Sequence, residues 1–304
     1  MAYYSGSAID MAAVRSALVD ACVAEGWAWN NDSRVLSKGG LFIQLSVITG
    51  PYLTALAGTG ANSSGVTGPT PNAVRVGLAG TEAMLFPIAY RVFAFSDEIY
   101  LVLNYNVDCY QWLAFGKSGV SELPGTGMWV GASIGGSIRT DSPNIANISS
   151  AGSGSGGFNN NSGPLALFWG TNAADSAANN SFVHHDFDGY GWEAGGAAGY
   201  SGRLGVSPLA PLVSLLPNQW NSEAVLLPLR CYVSRPSSKA SLAVDTVNAR
   251  ITRVDNYSPG QIIMLGSDRW IIFPWYRKNL SNRNAGYQVP HSGTFGWAIR
   301  YEGP

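Results

Sequence analysis

The residues of this chain best suited to chemistry are gathered in one short segment, Asn180 to Glu193, NSFVHHDFDGYGWE. Imidazole and carboxylate groups bind metals and carry protons, and His185, Asp186 and Asp188 are the candidate metal ligands here. Asp186-Phe187-Asp188-Gly189 matches the start of a calcium loop, in which a glycine permits the bend around the ion. The remaining ligands do not follow: Tyr190, Gly191 and Trp192 come next, with only Glu193 beyond. As a strand, the segment would place His184 and Asp186 on one face and His185 and Phe187 on the other, which divides the cluster. The expectation is no metal and no cofactor, and a segment serving as a solvated or interface loop. Tyr190 and Trp192 carry a second chemistry, because an aromatic face packs on sugar C–H groups while neighbouring carboxylates accept hydroxyl protons. Aromatics beside glycine serve subunit contacts equally well. That reading is preferred, with Tyr190 and Trp192 kept as candidate glycan-binding residues.

Three other patterns are tested in the same way. Gly131-Ala132-Ser133-Ile134-Gly135 fits the G-x-S-x-G form of a serine nucleophile on a strand-to-helix turn, but no amphipathic helix follows, and the chain is rich in Gly and Ser. Asp97 and Glu98 are adjacent, so in a strand they point to opposite faces and do not make a paired-carboxylate site. Asp268-Arg269-Trp270 and Trp275-Tyr276-Arg277-Lys278 interleave basic and aromatic residues, a texture also used for single-stranded nucleic acid. Strand alternation accounts for it more simply, with Ile271 and Phe273 facing inward and Trp270, Ile272 and Pro274 on the other side. No catalytic residue is expected, so the chain reads as a non-enzyme.

Composition narrows the partners. Charged residues are 12% of 304 and the net charge is −1, against roughly 25% charged in soluble domains generally. A surface so poor in charge favours association with other subunits. Without a basic stripe to neutralise a row of phosphates, nucleic acid is not an expected partner. Met1 to Asp10 has no basic stretch leading into an apolar run, and no apolar stretch approaches the roughly eighteen residues of a spanning helix. Synthesis in the cytoplasm without membrane insertion is expected, and a secreted hydrolase is disfavoured. Cys22, Cys109 and Cys231 are far apart with no ligand spacing, so they read as small buried apolar residues.

The elements that must position these residues are mostly strands. Ser7 to Glu25 reads as one helix, with Ser7 as cap, Met11, Val14, Leu18 and Cys22 on one face, and Gly26 at the stop. Strands are expected at Trp27 to Asn30, Val35 to Ser37 and Leu41 to Ile48, then at Val74 to Leu78 and Met84 to Phe95. Ala57 to Asn72 reads as a long exposed loop or arm, since Gly, Ser, Thr, Asn and Pro dominate it. Asp97 to Ser118 reads as an antiparallel hairpin, with Ile99, Leu101 and Leu103 closing a core and Tyr100 and Val102 on the opposite face. Gly131 to Gly202 is again Gly-, Ser- and Asn-rich, interrupted by strand candidates at Leu165 to Trp169 and Ser181 to Phe187. Short strands follow at Val225 to Ser234, Ala240 to Val244, Ile251 to Val254, Gln261 to Leu265, Trp270 to Trp275 and Phe295 to Tyr301. The expected fold is mainly β: an antiparallel sandwich or barrel body, with a small α+β N-terminal unit containing one helix. Three regions are set at 1–50, 51–205 and 206–304.

Tyr-Gln-Trp-Leu-Ala-Phe-Gly-Lys from Tyr110 to Lys117 is similar to a segment of virion structural proteins of tailed bacteriophages. Gly266 to Arg277 and Gly293 to Tyr301 are similar to the closing strands of the same proteins, and the opening helix and Lys38-Gly39-Gly40 turn also fit. The resemblance touches both ends and the middle of the chain, in patches made of aromatics, glycines and strand formers. It implies a particle component of the tail tip, baseplate or fibre attachment region, self-associated as a homo-oligomer, with three-fold symmetry and other virion proteins as neighbours. A carbohydrate-binding module contacting a host surface glycan is the alternative.

Overall fold

The Asp97 to Ser118 hairpin forms as its alternation requires. Glu98–Asn106 and Cys109–Lys117 pair antiparallel across Val107 and Asp108, with Asp108 at φ 54° taking the left-handed position of the turn. In the computed structural model, which describes residues 1–48, 52–77, 84–135, 166–168, 180–194, 204–205, 220–237, 239–275, 278 and 295–304, this hairpin lies at the centre of three stacked antiparallel sheets.

The central sheet has seven strands, in the order Ala2–Ala8, Ile88–Ala94, Glu98–Asn106, Cys109–Lys117, Met128–Ala132, Ser181–His185 and Gly191–Ala194. A second sheet runs Ile134–Gly135, Val74–Val76, Tyr52–Asn62, Leu41–Ile48, Val35–Lys38 and Ala28–Asn30, with Gly65–Pro69 folded back on Tyr52–Asn62. The third runs Leu204–Gly205, Leu227–Arg235, Lys239–Arg253, Phe295–Arg300, Asp268–Pro274 and Ile262–Leu265. The fold is thus mainly β with one helix near the N-terminus and a sandwich-like body, as expected.

Alternation in the hairpin divides its side chains between two cores. Ile99, Leu101, Leu103, Leu113 and Phe115 meet the second sheet and the helix, through residues such as Ile43, Leu53, Val14 and Leu18. Tyr100, Val102, Tyr110 and Trp112 meet the third sheet, where Phe273, Trp275 and Trp297 complete an aromatic core. Its rings contact edge to face, as between Tyr100 and Trp297 at 5.5 Å and between Trp112 and Trp275 at 5.4 Å. The face carrying Tyr100 and Val102 is therefore covered by the same chain. Ile271 and Phe273 join this core while Trp270 and Ile272 face a small outer cluster, the division that alternation implies.

Two buried polar links cross the layers. The Gln111 side chain exchanges both of its amide hydrogen bonds with the backbone of Gly77, each at 2.7 Å, joining the central sheet to the second. Glu98 does the same toward the third sheet. Its Oε1 accepts from the Val247 amide at 2.8 Å, and its Oε2 accepts from the Asn248 amide at 2.9 Å, Asn248 Nδ2 at 2.8 Å and the Tyr100 hydroxyl at 3.1 Å.

Several elements differ from the sequence reading. The helix spans Met11–Ala24, and its cap is Asp10, whose side chain accepts from the Ala13 amide at 2.7 Å. Ser7 belongs instead to the strand Ala2–Ala8, which pairs with Ile88–Ala94 at the sheet edge. Met11, Val14, Leu18 and Cys22 are buried and Gly26 stands at φ 85°, as the pattern implied. The expected exposed arm at Ala57 to Asn72 is mostly a hairpin: Tyr52–Asn62 and Gly65–Pro69 pair across a turn in which Asn62 Oδ1 accepts from the Ser64 and Gly65 amides. Backbone ladders need no large side chains, and Gly65 supplies a positive φ at the turn. Hydrogen bonding also crosses the boundaries set at 50 and 205, since Leu41–Ile48 pairs with Tyr52–Asn62 and Leu204–Gly205 pairs with Leu227–Arg235. Of the Gly-rich stretch from Gly131 to Gly202, residues 136–165, 169–179 and 195–202 lie outside the described residues, and with them part of the strand expected at Leu165 to Trp169. Cys22, Cys109 and Cys231 are buried and form no disulfide with one another. No helix among the described residues is long and apolar enough to cross a membrane.

Because both hairpin faces are core, truncation on either should destabilise the chain. Leu101→Ala is expected to lower the unfolding free energy by about 3 kcal/mol and Val102→Ala by about 2 kcal/mol, read from urea midpoints. A loss under about 0.5 kcal/mol at Val102 would mean that the third sheet does not cover that face in solution.

Candidate functional site

The segment richest in chemistry sits at one edge of the central sheet, where Ser181–His185 turns back into Gly191–Ala194. Strand geometry separates its side chains. Phe182 enters the core on the second-sheet side and Val183 enters the core on the third-sheet side, so His184 and His185 follow to opposite faces.

On the first face His184 pairs across the ladder with Trp192, their rings edge to face at 5.1 Å. His184 Nδ1 accepts a hydrogen bond from the Thr126 amide at 3.1 Å, which places the proton of the neutral ring on Nε2. Burial holds its pKa below the ordinary histidine value, with Asp186 opposing the shift and His185 adding to it. The Trp192 indole donates to the Gly68 carbonyl at 2.7 Å, reaching the hairpin of the second sheet.

On the second face His185 is fully buried, with Nε2 at 2.8 Å from Glu193 Oε2. The His185 ring lies 5.2 Å from that of Phe187, and the Arg235 guanidinium covers Phe187 at 4.9 Å. Arg235 comes from the third sheet and grips Asp188 bidentately, Nε to Oδ2 at 2.9 Å and Nη2 to Oδ1 at 2.8 Å. Asp188 adopts φ 56° in the turn that presents it. The segment therefore clamps both outer layers to one edge of the central sheet: Trp192 to the second, and Asp188 with Phe187 to the third.

The candidate metal ligands His185, Asp186 and Asp188 are not brought together. His185 faces Glu193 in the interior, Asp188 faces Arg235, and Asp186 is exposed. Among the described residues no group of at least three His, Cys, Asp or Glu side chains could hold a metal ion. Of the candidate glycan-binding pair, Trp192 uses its N–H on Gly68 and lies against His184, while Tyr190 is 46% exposed.

The G-x-S-x-G segment is a corner. Met128–Ala132 belongs to the central sheet and Ile134–Gly135 to the second, so Ser133 is the residue at which the chain changes layers. Its hydroxyl is buried and accepts from the Trp112 amide at 2.8 Å. A Cβ at Gly131 would stand 2.6 Å from Leu167 Cδ1, which is why a glycine precedes it. Of the mixed basic and aromatic residues, Tyr276 and Arg277 lie outside the described residues; Arg269 donates to the Gly303 carbonyl at 2.6 Å and lies over Tyr301, Lys278 donates to the Tyr257 carbonyl at 2.7 Å, and Arg300 pairs with Asp268.

Glu98 is the charged group that the sequence reading passed over. Asp97 is exposed beside Ser96, as alternation implies, while Glu98 is only 2% exposed. Burial pushes its carboxyl pKa up, and the four hydrogen-bond donors oppose that shift. A cleft of about 150 Å³ opens beside it, lined by Ser96, Asp97, Lys117 and Asn248. That volume is below the roughly 300 Å³ at which small-molecule pockets begin. A larger cleft of about 560 Å³ lies on the outer face of the third sheet, bounded by Val225, Leu226, Tyr257, Ile263, Met264 and Leu265. The signal for Glu98 was present in the sequence as a charge in phase with Tyr100 and Val102. The outer cleft had no such signal, because its two sides are far apart along the chain.

Compared with known protein families and with curated proteins, the chain has no match.

Glu98→Ala would leave the Val247 and Asn248 amides without their acceptor, and is expected to lower stability by about 3 kcal/mol; an unchanged urea midpoint would rule out Glu98 as the link between these layers. For His184 the folded pKa lies below the unfolded value of 6.5, so its contribution is full above that pH and is lost as pH falls through the folded value. The urea midpoint should therefore drop between about pH 7.5 and pH 5, and His184→Gln should flatten that drop.

Proposed function

We propose that the chain is a non-enzymatic structural subunit of a tailed-phage virion, in the tail tip, baseplate or fibre attachment region. The observation that carries this reading is the use made of the segment richest in chemistry. His184, His185, Asp188, Trp192 and Glu193 are engaged in contacts within the chain, and those of Trp192 and Asp188 hold sheet layers together. Groups held this way position a scaffold and present no paired acid and base to a substrate. The patchy resemblance of Tyr110 to Lys117, Gly266 to Arg277 and Gly293 to Tyr301 to virion structural proteins supports the same reading, as does a surface with 12% charged residues in the whole chain. Its partners in this reading are further copies of itself and neighbouring virion proteins, and its location is the particle.

A second reading, a host-recognition module on the same particle, is favoured by one observation. Tyr190 is 46% exposed on a turn beside the exposed Asp186, which sets an aromatic ring and a carboxylate, the two groups that a pyranose ring uses, on one stretch of surface.

The purified chain is expected to form a defined oligomer and to copurify with particles, and its deletion should arrest tails at one stage of assembly. Electron microscopy of the intact particle would place it. A chain that stays monomeric and has no affinity for particle components would end the structural reading. Glycan binding by the free protein, abolished by Tyr190→Ala with the fold intact, would establish the recognition reading.

A further inference from the structure

Ile262–Leu265 is the last strand of the third sheet, and among the described residues no strand pairs with its outer side. The phase of its ladder tells which backbone groups face outward. The Ile272 amide donates to the Gln261 carbonyl, and the Arg269 carbonyl, opposite Met264, turns away to accept from Tyr301. Alternation then directs the N–H and C=O groups of Ile262 and Met264 to the open edge.

Natural edge strands are usually blunted by a charge, a proline or a cover. Ile262-Ile263-Met264-Leu265 has neither charge nor proline, and its side chains are exposed on both faces: Ile262 42%, Met264 60% and Leu265 54%. Val225, 49% exposed, lines the outer cleft together with Ile263, Met264 and Leu265, and Asn221, Glu223 and Gln261 form its polar rim. These four are among the eleven large apolar side chains exposed among the described residues, so exposed apolar surface is gathered here.

We infer that this edge pairs with the same edge of a second copy of the chain, related by a two-fold axis at Ile263. Three features select a second copy as the occupant. Antiparallel self-pairing sets each residue against its own kind or a near neighbour, which a charged strand would resist and this uncharged strand accepts. The register that satisfies the outward groups is Ile262 against the partner's Met264 and Met264 against the partner's Ile262, so both ladders close. A two-fold interface must also be self-complementary, and the exposed side chains of Ile262, Met264 and Leu265 flank the axis on both faces of the strand, where each copy would cover those of the other. The third sheet would continue across the axis as one sheet of both copies. This deepens the reading as a self-assembling subunit, on which it rests, and replaces the three-fold arrangement with a two-fold one at this surface.

The test is sedimentation velocity of the full chain over a hundredfold range of concentration, with Met264→Lys as the disrupting variant. A monomer–dimer equilibrium is expected, with the dissociation constant raised at least tenfold by Met264→Lys, whose thermal melt should match the parent because Met264 is exposed. Register is checked by Ile263→Cys. The Cα atoms of a pair of this kind lie about 4.5 Å apart, within disulfide range, so mild oxidation should yield a covalent dimer, while Val23→Cys on the helix should not. A parent chain that is monomeric throughout, an open series of higher oligomers, or a dimer indifferent to Met264→Lys would each overturn the inference. A monomer that still copurifies with particles overturns only the dimer. A Met264-dependent dimer with no affinity for particle components upholds the dimer and removes the virion reading.

Discussion

The structure depends on the burial of one hairpin on both faces. Glu98–Asn106 and Cys109–Lys117 expose almost nothing to water, and a sheet of that kind needs an apolar layer on each side. The helix with the second sheet supplies one layer, and the third sheet supplies the other. In sequence, nearly all of the second sheet lies between the first two strands of the central layer, and the third sheet follows the last of them.

A two-core arrangement also changes the meaning of the low charge. The 12% of charged residues suggests a surface built for association. A central hairpin with almost no water face accounts for part of it, since charge is disfavoured on both of its sides. The charged groups that do enter are matched. Glu98 is met by backbone amides, Asn248 and Tyr100, and Arg253 is paired bidentately with Asp255, both side chains 2% exposed. Arg250 donates to the carbonyls of Thr246, Val247 and Ala249 where Lys239–Arg253 leaves its ladder with Leu227–Arg235, and it lies over Trp270. Buried charge of this kind fixes how layers register, because any other alignment leaves an unpaired group in the interior.

The clamp at the sheet edge follows the same logic. Histidines, carboxylates and aromatics concentrated at Asn180 to Glu193 have the look of a site, yet each layer takes its own share of them: Gly68 receives Trp192, and Arg235 receives Asp188. A fully buried His185 bonded to Glu193 secures the strand between them. Tyr190 near this clamp and the Ile262–Leu265 edge elsewhere are among the exposed apolar groups of the described residues.

Local periodicity was enough to read the helix face, the hairpin with its two faces, most strands of the last third, and the separation of His184 from His185, although Ala240 to Val244 and Ile251 to Val254 belong to the single strand Lys239–Arg253. Each depends only on which direction consecutive side chains take along one element. It set the helix cap at Ser7, three residues before the Asp10 that caps it, and it mistook the Tyr52–Pro69 hairpin for an arm because small residues give no apolar signal while their backbones still pair. What covered the Tyr100 and Val102 face, which amides Glu98 would meet and which guanidinium would hold Asp188 were decided by tertiary structure alone. Those partners lie at distant positions in the chain, at Trp297, Val247 and Arg235, and no periodic pattern encodes a contact between segments that only folding brings together.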